Sequence, residues 1–226
     1  MMTGNRHRKG RQLVDTVRGM HAAQENDATA FANRKLLAEK RVFAVNVVAA
    51  SRSGKTSVIL ATIEALRDEF NLAVIEGDMA SRIQAERINQ RGIPAVQVDA
   101  EPSGHLSAAC VRDALAELDL DGLDLVIIEN AGDPSGSVFV DVGEGLKVLV
   151  TAVSEGDAKP LEAPEIFRRC HAVLVNKIDM ADQCGFDLDR FCSLVRKANA
   201  SAPIFPVVAT TGEGVEAWAD WLRSQI

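Results

Sequence analysis

Val42-Phe43-Ala44-Val45-Asn46-Val47-Val48-Ala49-Ala50-Ser51-Arg52-Ser53-Gly54-Lys55-Thr56 is the stretch whose reading decides the fold. Its first half is a β-branched, apolar run of strand length. Such a run has to be buried on both faces, as strands of parallel sheets are. Its second half ends in Gly-Lys-Thr, and helix-compatible sequence follows from about Lys55 to Phe70. Strand, glycine-bearing loop, helix is the setting of a phosphate-binding P-loop, GxxxxGK[ST]. In such a loop the backbone N–H groups curl around phosphate oxygens at a helix N-terminus. Ser53, Gly54, Lys55, Thr56 and Ser57 are the candidate phosphate ligands. Lys55 would reach the β and γ phosphates, and the Thr56 hydroxyl would ligate Mg²⁺. Two positions depart from the pattern. Ala49 replaces the first glycine, and Arg52 stands where many such loops have another. Wherever those positions need φ > 0, a side chain costs on the order of 1 kcal/mol.

Outward from this loop, apolar strand-length runs alternate with helical stretches. Strands are expected at 72–76, 95–98, 123–129, 148–153, 172–176 and 204–208. Helices are expected at 81–92, 106–118 and 215–223. Alternation of this kind predicts an α/β fold: a three-layer P-loop NTPase domain with a mostly parallel sheet. An N-terminal helical extension from about Asp27 to Lys40 leads into it, with Phe31, Leu36 and Leu37 as its apolar anchors. Residues 1–26 are polar and locally basic and read as a flexible tail; residues 27–226 read as one P-loop domain with its N-terminal helix.

Two strands end in acidic residues, Glu76-Gly77-Asp78 and Glu129-Asn130. In a parallel sheet both project at the carboxyl edge, where the P-loop lies. A phosphate-bound Mg²⁺ takes one or two carboxylates, so Asp78 and Glu129 join Thr56 as candidate metal ligands. A later strand ends in Asn176-Lys177-Ile178-Asp179. The Asp179 carboxylate can accept from the guanine N1–H and N2–H₂, a donor pair that adenine lacks. The Lys177 stem can cover the base, and Asn176 can brace the loop. Near the C-terminus, Val208-Ala209-Thr210-Thr211-Gly212-Glu213-Gly214 again follows a strand, and its amides, Ala209 among them, are candidates to face the guanine O6. Together these segments predict binding of GTP and GDP with Mg²⁺.

The whole chain narrows the partners. A net charge of -7 and only 4% aromatic residues argue against nucleic acid. No run reaches the ~20 apolar residues of a membrane span, so a cytoplasmic protein is expected. Cys110, Cys170, Cys184 and Cys192 form no CxxC pair and read as free thiols.

These residues resemble the HypB family, the GTPases that support nickel insertion into [NiFe] hydrogenase and that stand with UreG in the SIMIBI class. Beyond the segments above, the resemblance is carried by Gly92-Ile93-Pro94-Ala95-Val96-Gln97, Gly104-His105-Leu106, Ile128-Glu129-Asn130-Ala131-Gly132, Asp141-Val142-Gly143-Glu144, Glu155-Gly156 and Lys159-Pro160-Leu161. The resemblance implies slow GTP hydrolysis, with Lys55 and Asp78 as catalytic residues, Asp78 orienting the attacking water and Glu129 near the Mg²⁺. It implies a GTP-dependent homodimer, a HypA-type nickel-binding partner and a hydrogenase precursor as client. The family's own metal site uses a Cys-His pair and a second Cys. Here Gly104 precedes His105, and Gly136 stands at the second position. Without thiolates, Ni²⁺ or Zn²⁺ would find in His105 a weak ligand at best. Two other readings of the same residues remain: a diverged paralogue serving another metalloenzyme, and a nucleotide-binding scaffold with little turnover.

Overall fold

The computed structural model describes residues 4–77, 88, 92–101, 104–130 and 133–226, with side chains from residue 21 onward. In chain order the main elements are α1 (Gly4–Lys40), β1 (Phe43–Ala49), α2 (Lys55–Leu66), β2 (Leu72–Glu76), β3 (Ala95–Gln97), α3 (Ala108–Glu117), β4 (Leu125–Glu129), β5 (Leu146–Ala152), β6 (Ala172–Asn176), α4 (Leu188–Ala198), β7 (Ile204–Val207) and α5 (Val215–Arg223). Among the described residues the strands form one seven-stranded sheet, ordered β3-β2-β4-β1-β5-β6-β7. Every pairing is parallel.

The sheet is buried on both faces, which is why its central strands carry almost no polar residues. Val45 and Val47 of β1, Val148 of β5 and Leu174 of β6 pack with Ile59 and Ile63 of α2 and Trp218 and Leu222 of α5. The opposite face carries two separate apolar clusters. One joins Ala44, Val126 and Ile128 to Val111 and Leu115 of α3 and Leu37 of α1. The other joins Val48, Leu149 and Val173 to Phe167, Phe191 and Val195. β1 and β4 sit next to one another, with Asn46 opposite Ile128 and Val47 opposite Glu129. That pairing brings the P-loop beside the Glu129-Asn130 strand end.

Three expectations change. The helix boundary moves: α1 runs unbroken from Gly4, more than twenty residues ahead of the expected start at Asp27. Its first half is mostly polar, which hid it, but it lacks proline and so carries no strong helix breaker. Second, Phe31 does not anchor α1, being 68% exposed; among the described side chains of α1, Ala30, Asn33 and Leu37 are the buried ones. Their i, i+3, i+7 spacing is the true inner face. Third, the sequence reading left 177–203 without a helix. α4 fills part of it, capped by the Asp187 carboxylate accepting from Arg190 N at 2.9 Å. The expected helix at 81–92 lies outside the described residues, apart from Ile88, which is helical and buried.

Candidate functional site

The P-loop leaves β1 at Ala49, which is still strand and has no positive φ, so the first missing glycine carries no backbone strain. Arg52 differs: it sits at φ +68°, in the left-handed region where a side chain is costly. Gly54 has φ +88° and precedes α2. A Cβ there would lie 2.3 Å from Asn176 Nδ2, so glycine is required by space as well as by φ.

A cleft of about 620 Å³ opens over the loop, lined by Arg52, Gly54, Lys55, Thr56, Ser57 and Glu129 together with Asp133. Thr56 Oγ1 donates to Glu129 Oε1 at 2.7 Å. Lys55 Nζ lies 3.8 Å from the same carboxylate oxygen and donates to the Asn130 carbonyl. The structure therefore brings Lys55, Thr56 and Glu129 together as expected. A hydroxyl beside a carboxylate is a hard-oxygen donor pair, the chemistry Mg²⁺ takes when it also holds phosphate. Asp133 was not singled out as a site residue in the sequence. It reaches the cleft because its side chain caps the short helical turn Pro134–Ser137, accepting from Ser135 N at 2.7 Å. Those hydrogen bonds from Ser135 hold its pKa below the ordinary carboxylate range, keeping it anionic. Asp78 and the backbone of Ala131-Gly132 lie outside the described residues.

The segment after β6 reaches across to the P-loop. Asn176 Nδ2 donates to Ser53 O at 3.0 Å, and Lys177 Nζ donates to Arg52 O at 2.7 Å. Ser53 itself is buried, its hydroxyl donating to Ala50 O at 2.8 Å. Lys177 stands at φ +62°, which turns the chain so that Asp179 is exposed in the short turn that follows. The Ala209 N–H donates to Asn176 Oδ1 at 3.1 Å, bracing the base loop from behind.

His105 lies beside Gly136: a Cβ on Gly136 would sit 3.7 Å from His105 Nδ1, ordinary contact distance. Gly104 has φ +83°, a conformation that resists any other residue. The Cys110 thiol is turned to Ser107 Oγ, at 3.2 Å, and to the Asp99 carbonyl and Glu101 carboxylate. Among the described residues no three His, Cys, Asp or Glu side chains gather as a metal-binding group. Nor, among them, is any helix long and apolar enough to cross a membrane.

With this geometry in view, the family profile described as "CobW/HypB/UreG, nucleotide-binding domain" matches residues 44–206. The hydrogenase maturation factor HypB of Escherichia coli K12 is 36% identical over 201 residues, covering 89% of this chain and 69% of the relative. The chain belongs to the HypB group of the CobW/HypB/UreG family. The fold agrees. The crystal structure of HypB from Archaeoglobus fulgidus superposes with a TM-score of 0.84 at 34% identity, covering 89% of this chain and 98% of that one. HypB from Helicobacter pylori, solved in complex with nickel, gives 0.83 at 26% identity, covering 89% and 94%. As a HypB-group protein the chain is a P-loop nucleotide-binding protein, and its parallel sheet flanked by helices matches that group's structures.

Proposed function

We propose that this chain binds and hydrolyses GTP and acts as a metallochaperone-type protein in nickel insertion during [NiFe] hydrogenase maturation. One observation carries the reading. The base-recognition segment and the phosphate loop are joined by two hydrogen bonds, from Asn176 to Ser53 and from Lys177 to Arg52. A guanine nucleotide spanning the two loops has both of its ends specified by one rigid unit.

In this reading Gly54, Lys55, Thr56 and Ser57 take the phosphates, and Asp179 accepts from the guanine N1–H and N2–H₂. Thr56 and Glu129, with Asp78, would hold a Mg²⁺, which would neutralise phosphate charge and fix phosphate orientation. Lys55 places its ammonium on the β and γ phosphates. Asp78 orients the water that attacks the γ-phosphorus, and GDP and inorganic phosphate leave. Hydrolysis is slow, as befits a timing switch. Nickel is cargo: His105 without neighbouring thiolates holds it weakly, and a HypA-type partner carries most of it to the hydrogenase precursor. GTP promotes a homodimer that resets on hydrolysis.

Calorimetric titration with GTP, GDP and ATP in the presence of Mg²⁺ tests the base assignment. Guanine nucleotides should bind about a hundredfold tighter than ATP, the value of two hydrogen bonds to one carboxylate. Equal affinities would overturn it. Asp179→Asn should transfer the preference to xanthine nucleotides. Phosphate release at the buffer rate, with nucleotide bound, would instead favour a scaffold role.

A further inference from the structure

Three motifs that the nucleotide reading does not use, Asn46, Asn130 and the Asp141-Val142-Gly143-Glu144 segment, are wired together inside the protein. Asn46 lies on β1, completely buried, on the sheet face that carries two apolar clusters. Its neighbours on that face fall on either side: Ala44 belongs to one cluster and Val48 to the other. Opposite it on β5 stands Lys147, also buried. A polar seam therefore runs between two hydrocarbon masses, where every unmade hydrogen bond is costly.

The seam begins at the phosphate site. Lys55 Nζ donates to the Asn130 carbonyl. The Asn130 side chain donates to Asn46 Oδ1 at 3.2 Å, and Asn46 Nδ2 donates to Glu144 Oε1 at 3.3 Å. Lys147 Nζ lies 3.0 Å from that same oxygen and donates to the carbonyls of Val138 and Val140 at 3.0 and 2.6 Å. Glu144 Oε2 accepts from Val142 N at 2.9 Å. A branch leaves at Asn130, whose Oδ1 accepts from Leu106 N at 3.2 Å. The direction of each bond is fixed from both ends. The Leu106 N–H can only donate, and the Glu144 carboxylate can only accept, so neither asparagine can flip without losing a partner. Asn33 of α1 closes the outer end, donating to Ala108 O at 2.8 Å and Val142 O at 2.9 Å.

The Leu106 branch and the Lys147 end of the seam both border a surface groove of about 860 Å³, lined by Asn26, His105, Ser107, Arg112, Phe139 and Val140. Leu106 follows His105, and the Val138 and Val140 carbonyls held by Lys147 flank Phe139. We propose that Asn46 and Glu144 are positioning residues of the nucleotide site: they hold the Asn130 carbonyl against Lys55 and pass its displacement on to the groove beside His105. This rests on the reading that the cleft binds a guanine nucleotide. A phosphate in the P-loop competes for the Lys55 ammonium and weakens its hold on the Asn130 carbonyl. The Asn130 side chain is tied to both Asn46 and Leu106, so a shift of the residue that follows its carbonyl reaches Leu106 directly and residues 138–142 through Glu144 and Lys147. By linkage, whatever fills the groove alters nucleotide affinity in return.

Two amides report on the relay directly, Leu106 N–H and Val142 N–H. Hydrogen–deuterium exchange of the full chain, with and without GDP or a non-hydrolysable GTP analogue and Mg²⁺, should show both changing on nucleotide addition by about fivefold or more, the lower end of ordinary site-to-site coupling. Asn46→Ala should abolish the change at Val142. Lys147→Met, which leaves Asn46 and Asn130 bonded, should keep the response at Leu106 and lose it at residues 138–140. A purely structural role for Asn46 would raise exchange with and without nucleotide alike and leave the difference intact; that result overturns the proposal. So does wild-type protein that binds nucleotide with neither amide responding, a result that needs no variant to fold. Absence of guanine-nucleotide binding in the parallel titration overturns the site reading, and the relay with it.

Discussion

The phosphate loop and the base loop both depart from ordinary backbone geometry, but they are held in place in opposite ways. The phosphate loop has Arg52 and Gly54 in the left-handed region and offers its neighbour only carbonyls, those of Arg52 and Ser53. The base loop has one such residue, Lys177, and supplies both donors. It is braced in turn from behind, where Ala209 N donates to Asn176 Oδ1. So the base side is the support and the phosphate side is suspended from it. A P-loop that has exchanged a glycine for Arg52 keeps its shape because the neighbouring loop pays for it.

Because of that asymmetry, damage to the base loop should be felt at the phosphates. Asn176→Ala leaves the buried Ser53 carbonyl and the Ala209 amide without partners, and each orphaned group costs about 1–3 kcal/mol. Denaturant unfolding should show a loss of about 2–4 kcal/mol, and titration should show weaker binding of inorganic triphosphate, which has no base. Unchanged triphosphate affinity would break the comparison. Lys177→Met removes a more exposed bond, that to Arg52 O, and should cost about 0.5–1 kcal/mol by the same measurement. Smallest is Arg52→Gly. Relief of the left-handed strain outweighs the added freedom of the unfolded chain, so stability should rise by about 0.5 kcal/mol. Read by calorimetry, that is about 1–2 °C in Tm for a domain this size. A fall in Tm would mean that the Arg52 side chain contributes more than its backbone costs.

The legible parts of the site were those where chemistry and chain position coincide. Gly54, Lys55 and Thr56 are read from strand, loop and helix order. Glu129 is read from its place at a strand end, and β1–β4 pairing is what brings its carboxylate to Thr56 Oγ1. Asp133 was missed because a helix-capping aspartate looks alike whether or not it borders a cleft. The bond from the Ala209 amide to Asn176 was not legible, because nothing in the sequence says that these two residues, thirty-three apart, meet. Helix α4 was missed although Asp187 and the Leu188, Phe191, Val195 spacing announce it, since the short turns before it hid the period.

The sequence by itself determined the α/β order, the phosphate loop and the guanine-type tetrapeptide, because each is a local pattern of side-chain type and spacing. Only the tertiary structure decided which of two glycine-replacing residues is strained, which loop supports the other, and that Asn46, Asn130, Glu144 and Lys147 form one buried chain. Those outcomes depend on which groups, far apart in sequence, meet where water is excluded. There the need to satisfy each buried donor and acceptor, and no local propensity, selects the arrangement.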